Sequence, residues 1–297
     1  MRFINFSKEN CAGMATWTPD GWRGSITEGT GSEGSLQRCI EDGGAEGLSS
    51  LHDRLRRGEL IDVDAVQPLL PLPSPGKIVC VGLNYSDHTA ESGYTQPRHP
   101  TLFPRFASSL VPAGAPIVRP FLSDTLDFEG ELVAVVGRGG RHIEKAAALS
   151  HVAGYSIFND GSVRAYQHLT PQWTLGKNFD GTGGFGPAFV TTDELPAGAD
   201  GLRIETRLNG QVVQSASTSQ LIFDVATLVA TISQAMTLAP GDIIVTGTPS
   251  GVGHARKPPL YMKMGDVCEV EIEGIGVLRN PIVDEVAPTG ASREVAA

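Results

Sequence analysis

The chain reads as an α+β protein that is mostly β, with a small α/β unit ahead of a larger domain. Thirty-six glycines and twenty prolines in 297 residues require many turns, which suits short strands better than long helices. Most apolar runs are short, β-branched and bounded by Gly, Pro, Asn or Asp, the pattern of buried strands. Pro68, Pro71, Pro73 and Pro75 cannot sit in a helix or a central strand, so they mark the boundary between the two units. The expected division is residues 1–70, residues 71–286 and a polar, loose tail over 287–297.

In order along the chain, Met1 to Phe6 reads as a strand. Ala15 to Ile26 reads as a hairpin, with Pro19-Asp20-Gly21 as its turn. Short helical patterns follow at Ser35–Glu41 and Leu48–Arg57. Lys77 to Val81 is a buried strand opening into Gly82-Leu83-Asn84-Tyr85-Ser86-Asp87-His88. The run closed by Gly137 is another, then a short helix over Glu144–Ser150 and a strand over Val152–Asn159 ending at Asp160. Ser162 to His168 is a helical turn, and the glycine-rich segment from Gly176 to Pro187 is expected as a shaped loop. Asn209-Gly210 between two apolar runs predicts a hairpin. Leu221, Ile222, Val225, Leu228, Val229, Ile232 and Met236 recur at helical spacing, with Ser219 as the expected N-cap and Pro240 ending the run. Ile243–Val245, Val267–Ile272 and a run from Val277 complete the strands.

A formal net charge of −10 argues against general binding to nucleic acid or acidic membranes, though not against small anions that answer to local charge. The four cysteines (Cys11, Cys39, Cys80, Cys268) form no C-x-x-C pair and read as buried, reduced thiols. No apolar run is long enough to span a bilayer and the first residues carry no signal-peptide core, so the expected location is cytoplasmic.

The stretch Asp124 to Gly137 carries the chemistry. Side chains alternate along a strand, so Asp127, Glu129 and Glu131 are expected on one face. Carboxylates lined up on a buried strand repel one another and lose hydration, and a bound cation relieves both costs. A lone acid reads as a surface group; Glu129-Gly130-Glu131 on an apolar strand does not. Asp160 ends another strand, and Arg164 and Gln167 follow it at helical spacing on the same side. Oxygen-only ligation by Glu129, Glu131 and Asp160 suits Mg²⁺ or Mn²⁺ rather than Zn²⁺. Three carboxylates with a divalent ion leave a charge of about −1, which the ammonium of Lys177 in its apolar setting would balance. His88 and Glu91 lie one helical turn apart, a spacing at which the acid orients the imidazole as a general base. Gly82 and Gly93 flank that pair as a mobile loop would require. Thr246-Gly247-Thr248-Pro249-Ser250-Gly251-Val252-Gly253 lacks the G-K-[ST] of a nucleotide loop; it reads either as a plain tight turn or as a loop whose N–H groups and Thr248 hydroxyl bind a carboxylate.

Together these motifs, from about Lys77 to Val286, resemble the fumarylacetoacetate hydrolase family. The resemblance rests on the Gly82–His88 run, Leu126–Leu132, Asn159–Gln167, Gly176-Lys177-Asn178-Phe179 and Thr246–Gly253, in family order. It implies a mixed, rolled β-sheet catalytic domain behind a small N-terminal α/β domain, a homodimer, and Mg²⁺ or Mn²⁺ on Glu129, Glu131 and Asp160. It also implies a water-activating dyad of His88 and Glu91 on a lid, Lys177 as oxyanion or substrate-carboxylate partner, and Arg164, Gln167 and Thr248 as substrate contacts. The chain departs from many relatives at Ala165, where they have an acid, and at Arg105, where they have a lysine; Arg105 is counted among the substrate contacts.

The expected activity is metal-dependent hydrolysis of a C–C bond in a 2,4-dioxo acid of the acylpyruvate or fumarylpyruvate type, giving pyruvate and a carboxylic acid. Decarboxylation of an oxaloacetate-like acid, or isomerisation of a hydroxy-diene dioate, uses the same metal and enolate. A non-catalytic binder of small keto acids is the remaining reading, and it would have no need of His88 and Glu91.

Overall fold

A computed structural model describes residues 1–26, 35–87, 98–287 and 289. Its backbone is a twelve-stranded mixed sheet, a five-stranded sheet and a two-stranded ribbon. At the centre of the large sheet, Gly130–Val136 runs antiparallel between Val152–Asp160 and Ile243–Val245. Ile243–Val245 then pairs in parallel with Ile78–Gly82, which pairs antiparallel with Thr101–Arg105. On the other side, Val152–Asp160 pairs with Gly183–Thr191, which pairs with Arg2–Lys8. The leading strand and its hairpin (Cys11–Thr18, Gly21–Ile26) therefore continue the same sheet.

Gly130–Val136 is buried throughout. Leu132, Ala134 and Val136 face one core with Ile204, Val270 and Ile272 of the five-stranded sheet and Leu228, Val229 and Ile232 of helix Val225–Ala235. Val133 and Val135 face a second core with Phe158, Phe185, Phe189 and the apolar stripe of helix Leu36–Leu55. Two buried faces explain why the run is apolar without interruption. Each such side chain contributes about 1.5–3 kcal/mol through burial, enough to anchor acids at the strand's start.

The two expected helices after Ser35 form one span, Leu36–Leu55, broken at Gly44, whose backbone is non-helical (φ 51°). The Asn209-Gly210 hairpin joins Arg203–Leu208 to Gln211–Ser217, with positive φ at both turn residues. Two expectations are corrected. The apolar helix begins at Val225 with Asp224 as its N-cap, not after Ser219. Leu221 instead bridges to Tyr85, and Ile222 N–H donates to the Asn84 carbonyl, which holds that segment extended. The glycine-rich segment is a loop only in part, because Gly183–Thr191 is a central strand. A Cβ on Gly183 would lie 2.8 Å from the Arg105 guanidinium, and one on Gly184 2.8 Å from Asn280 Oδ1, so close neighbours explain these glycines. Among the described residues, no helix is long and apolar enough to cross a membrane.

Candidate active site

Antiparallel pairing sets Gly130 opposite Asn159 and Glu131 opposite Phe158, so the start of one central strand lies beside the end of its neighbour. Glu129, Glu131 and Asp160 thus meet at one end of the sheet. Each offers an oxygen within 4.8 Å of the others, and all three are buried. The Glu129 N–H donates to Asn159 Oδ1 (3.0 Å) and the Asp160 N–H to the Glu129 carbonyl (2.8 Å), locking the two segments together.

Asp127 does not join them. Leu126–Asp127 belongs to the two-stranded ribbon with Ser162–Val163, and the chain leaves extended pairing between Asp127 and Gly130, so the alternation expected from the sequence is broken. The Asp127 carboxylate accepts instead from the N–H groups of Phe128, Gly253 and His254, each at 2.8 Å, and from Arg164 Nε at 2.9 Å.

Three cations face these acids. Lys177 ends the helical turn Thr174–Lys177 and is 1 % exposed. Its Nζ lies 2.6 Å from Glu129 Oε2 and 2.6 Å from Asp160 Oδ2, and 4.9 Å from the centre of the Phe103 ring. The turn can lie so close because residue 176 is glycine: a Cβ there would sit 2.4 Å from the Gln167 nitrogen. Arg164 bridges Asp127 and Glu129 (2.7 Å to Oε1) and donates through Nη1 to Gln167 Oε1 at 2.8 Å. Arg105 pairs with Asp160 and also donates to Ser109 Oγ (3.1 Å) and Thr182 Oγ1 (2.9 Å). Arg105 was expected to touch substrate; the structure places it behind Asp160, fully buried and away from the cavity wall.

Four carboxylates therefore face three cations, one charge short of balance. The shortfall falls on Glu131, which accepts from Gly247 N–H at 2.5 Å and forms no ion pair among the described residues. Burial, then Asp160 and Glu129, push its carboxyl well above the ordinary range. Burial works against the Lys177 ammonium, but Asp160 and Glu129 outweigh it and raise its pKa. Convergent buried oxygens with a charge deficit fit a hard divalent cation.

Thr248 and Gln167 also reach this space. Thr248 Oγ1 donates to the Gly130 carbonyl (3.0 Å) and accepts from Gln214 Nε2 (2.8 Å), while Gln214 Oε1 accepts from Gly130 N–H (3.0 Å). Gln214 thereby ties the acidic strand to the Thr246–Gly253 turn. No spacing in the sequence announces it, since its partners come from distant segments. The site opens into a cavity of about 390 Å³, within the range of small-molecule pockets. Phe103 and Trp173 form one wall, their rings in edge contact at 5.5 Å, and His168 and His254 lie at another; neither wall was anticipated. His88 and Glu91 lie outside the described residues.

The fumarylacetoacetate (FAA) hydrolase C-terminal family model matches residues 77–283. The chain is 43 % identical over 225 residues (75 % of this chain, 72 % of the relative) to a Rattus norvegicus protein named oxaloacetate tautomerase Fahd2a, mitochondrial. Its fold is similar to that of fumarylacetoacetate hydrolase from Exiguobacterium antarcticum, at a TM-score of 0.78 and 36 % identity, covering 96 % of this chain and 100 % of that one. It is also similar to 5-carboxymethyl-2-hydroxymuconate delta-isomerase from Mycobacterium smegmatis, at a TM-score of 0.75 and 30 % identity, covering 97 % and 100 %. The chain belongs to the fumarylacetoacetate hydrolase family.

Proposed function

We propose that the protein is a Mg²⁺- or Mn²⁺-dependent enzyme that binds a small 2-oxo acid and stabilises its enolate, with keto–enol tautomerisation of an oxaloacetate-type acid as its reaction. The observation that carries this is the buried convergence of Glu129, Glu131 and Asp160 beside Lys177. Glu129, Glu131 and Asp160 would hold the ion, which supplies Lewis-acid polarisation of the 2-oxo group. Lys177 carries a proton at Nζ within the same cluster and is the group assigned to donate to the oxygen that becomes an enol. Arg164, fixed by Asp127 and Gln167, orients the 1-carboxylate. His88, supported by Glu91, is assigned as base for the C3 proton. The named tautomerase relative supports this order of readings.

Hydrolysis of an acylpyruvate or fumarylpyruvate is the second reading, favoured by the His88–Glu91 spacing and by the hydrolase among the structural relatives. There the same imidazole would activate water against the 4-carbonyl. The test uses purified enzyme with Mg²⁺ or with chelator, following loss of enol absorbance from oxaloacetate and pyruvate release from an acylpyruvate panel. The tautomerase reading expects metal-dependent enol decay and no pyruvate; pyruvate release that His88→Ala abolishes would replace it with hydrolysis. Activity undiminished by chelator would remove both. A homodimer, read by light scattering, belongs to the same proposal.

A further inference from the structure

Two imidazoles at the cavity wall have no part in the chemistry above. His168 directly follows the helical turn Arg164–Gln167, and its N–H donates to the Arg164 carbonyl at 3.3 Å. His254 lies in the turn Gly253–Ala255, and its N–H donates to Asp127 Oδ2 at 2.8 Å. Because Arg164 and Asp127 are themselves ion-paired at 2.9 Å, one buried salt bridge fixes the spacing of both histidines. Their ring centres are 5.5 Å apart with planes 32° from parallel, and both residues line the cavity and are exposed to solvent.

Their chemistry is that of neutral donors. Burial first, then Arg164, lowers the pKa of each imidazole, so both are uncharged near neutral pH. His254 Nδ1 lies 2.8 Å from the Tyr261 hydroxyl, whose pKa burial raises. The tautomer in which the phenol donates to Nδ1 carries the ring proton on Nε2 and leaves that N–H for a ligand. Deeper in the cavity Lys177, paired with Glu129 and Asp160, and Arg164, paired with Asp127 and Glu129, serve the 2-oxo end of the substrate. The field of Arg164 that depresses both imidazoles also favours an anion between them.

We propose that His168 and His254 clamp the distal carboxylate of the substrate and make the site selective for 2-oxo dicarboxylates over 2-oxo acids lacking that group. This rests on the reading of the site as a 2-oxo acid enzyme and names its substrate class. A carboxylate offers two oxygens to two ring N–H groups, and Lys177 and the acids remain with the 2-oxo end.

The test compares the Mg²⁺-loaded enzyme with His168→Phe, His254→Phe and the two glutamine variants. Rates are measured on oxaloacetate and its 4-methyl ester, and calorimetric affinities for oxaloacetate and for oxalate, which has no distal group. Loss of one hydrogen bond to a charged group predicts a fall of about 10- to 100-fold in the diacid-to-ester ratio of kcat/KM for either phenylalanine variant. The fall should be carried by KM, with the oxaloacetate-to-oxalate affinity ratio falling alike and the glutamine variants recovering part of both. Ratios that stay at their original values, or diacid and ester falling together, overturn the clamp. If no form of the enzyme turns over either compound, the parent reading fails, and the affinity ratio alone still decides whether the histidines hold the distal carboxylate.

Discussion

Replacing Lys177 by Met removes the ammonium but keeps an apolar side chain of comparable length beside Phe103. In the native protein Nζ lies 2.6 Å from both Glu129 and Asp160, with essentially no solvent access. Taking one partner from a buried ion pair costs about 3–5 kcal/mol, because the remaining charge stays dehydrated and unpaired. For a chain of this size 1 kcal/mol shifts the melting temperature by roughly 2 °C, so the variant in chelator is expected to melt roughly 6–10 °C lower. Divalent metal should reverse much of this. A ligand at one hundred times its Kd stabilises by about 2.7 kcal/mol. In the variant, the ammonium no longer competes for Glu129 Oε2 and Asp160 Oδ2. Thermal unfolding of both proteins, with chelator and with graded Mn²⁺, reads both effects. The expected result is a lower melting temperature in chelator and a larger rise with Mn²⁺ than in the parent protein. Equal melting temperatures in chelator, or a smaller rise with metal, would refute the reasoning.

Gly82→Ala places a Cβ 2.3 Å from Trp173 Cζ3, so the indole must shift from the cavity wall; overpacking predicts about 1–3 kcal/mol of lost stability and a changed tryptophan emission, checked by unfolding and fluorescence. Asn84→Ala removes a fully buried amide that donates to the Phe223 (3.0 Å) and Thr246 (2.7 Å) carbonyls and accepts from Phe223 N–H (2.8 Å). Leaving such groups unpaired costs about 1–3 kcal/mol each, measured by denaturant unfolding. Gln214→Leu unties Gly130 N–H from Thr248 Oγ1 and should weaken Mn²⁺ affinity in calorimetry by about tenfold, as loss of a group that orients metal ligands does.

Much of this arrangement is legible in the sequence where local chemistry and tertiary outcome coincide. The Asn209-Gly210 hairpin follows from turn preference alone, and Glu129 with Glu131 is conspicuous because the run after them is apolar. Asp127 has the same spacing yet points elsewhere: a break in pairing at Phe128–Glu129 is decided by Gly253 and His254, which lie far along the chain. Gly183–Thr191 looks like a loop because its glycines answer to Arg105 and Asn280, which sequence proximity does not reveal. Arg105 shows the same limit. A guanidinium where many relatives have a lysine suggests a grip on a substrate carboxylate, but Asp160 and Thr182, which bury it together with the nearby Ser109, come from distant segments. The histidines at the cavity wall are invisible for that reason too, being 86 positions apart and brought together by the fold beside the Arg164–Asp127 pair.

The most direct measurement is a crystal structure of the protein grown with Mn²⁺ and oxalate, with the ion located by its anomalous scattering. One ion bound by an oxygen each from Glu129, Glu131 and Asp160, with oxalate completing its coordination in the Phe103–Trp173 cavity, is the expected result. Density that places the ion elsewhere, or Glu129 and Asp160 still held by Lys177, Arg164 and Arg105 with no ion at saturating metal, would contradict the assignment of this site.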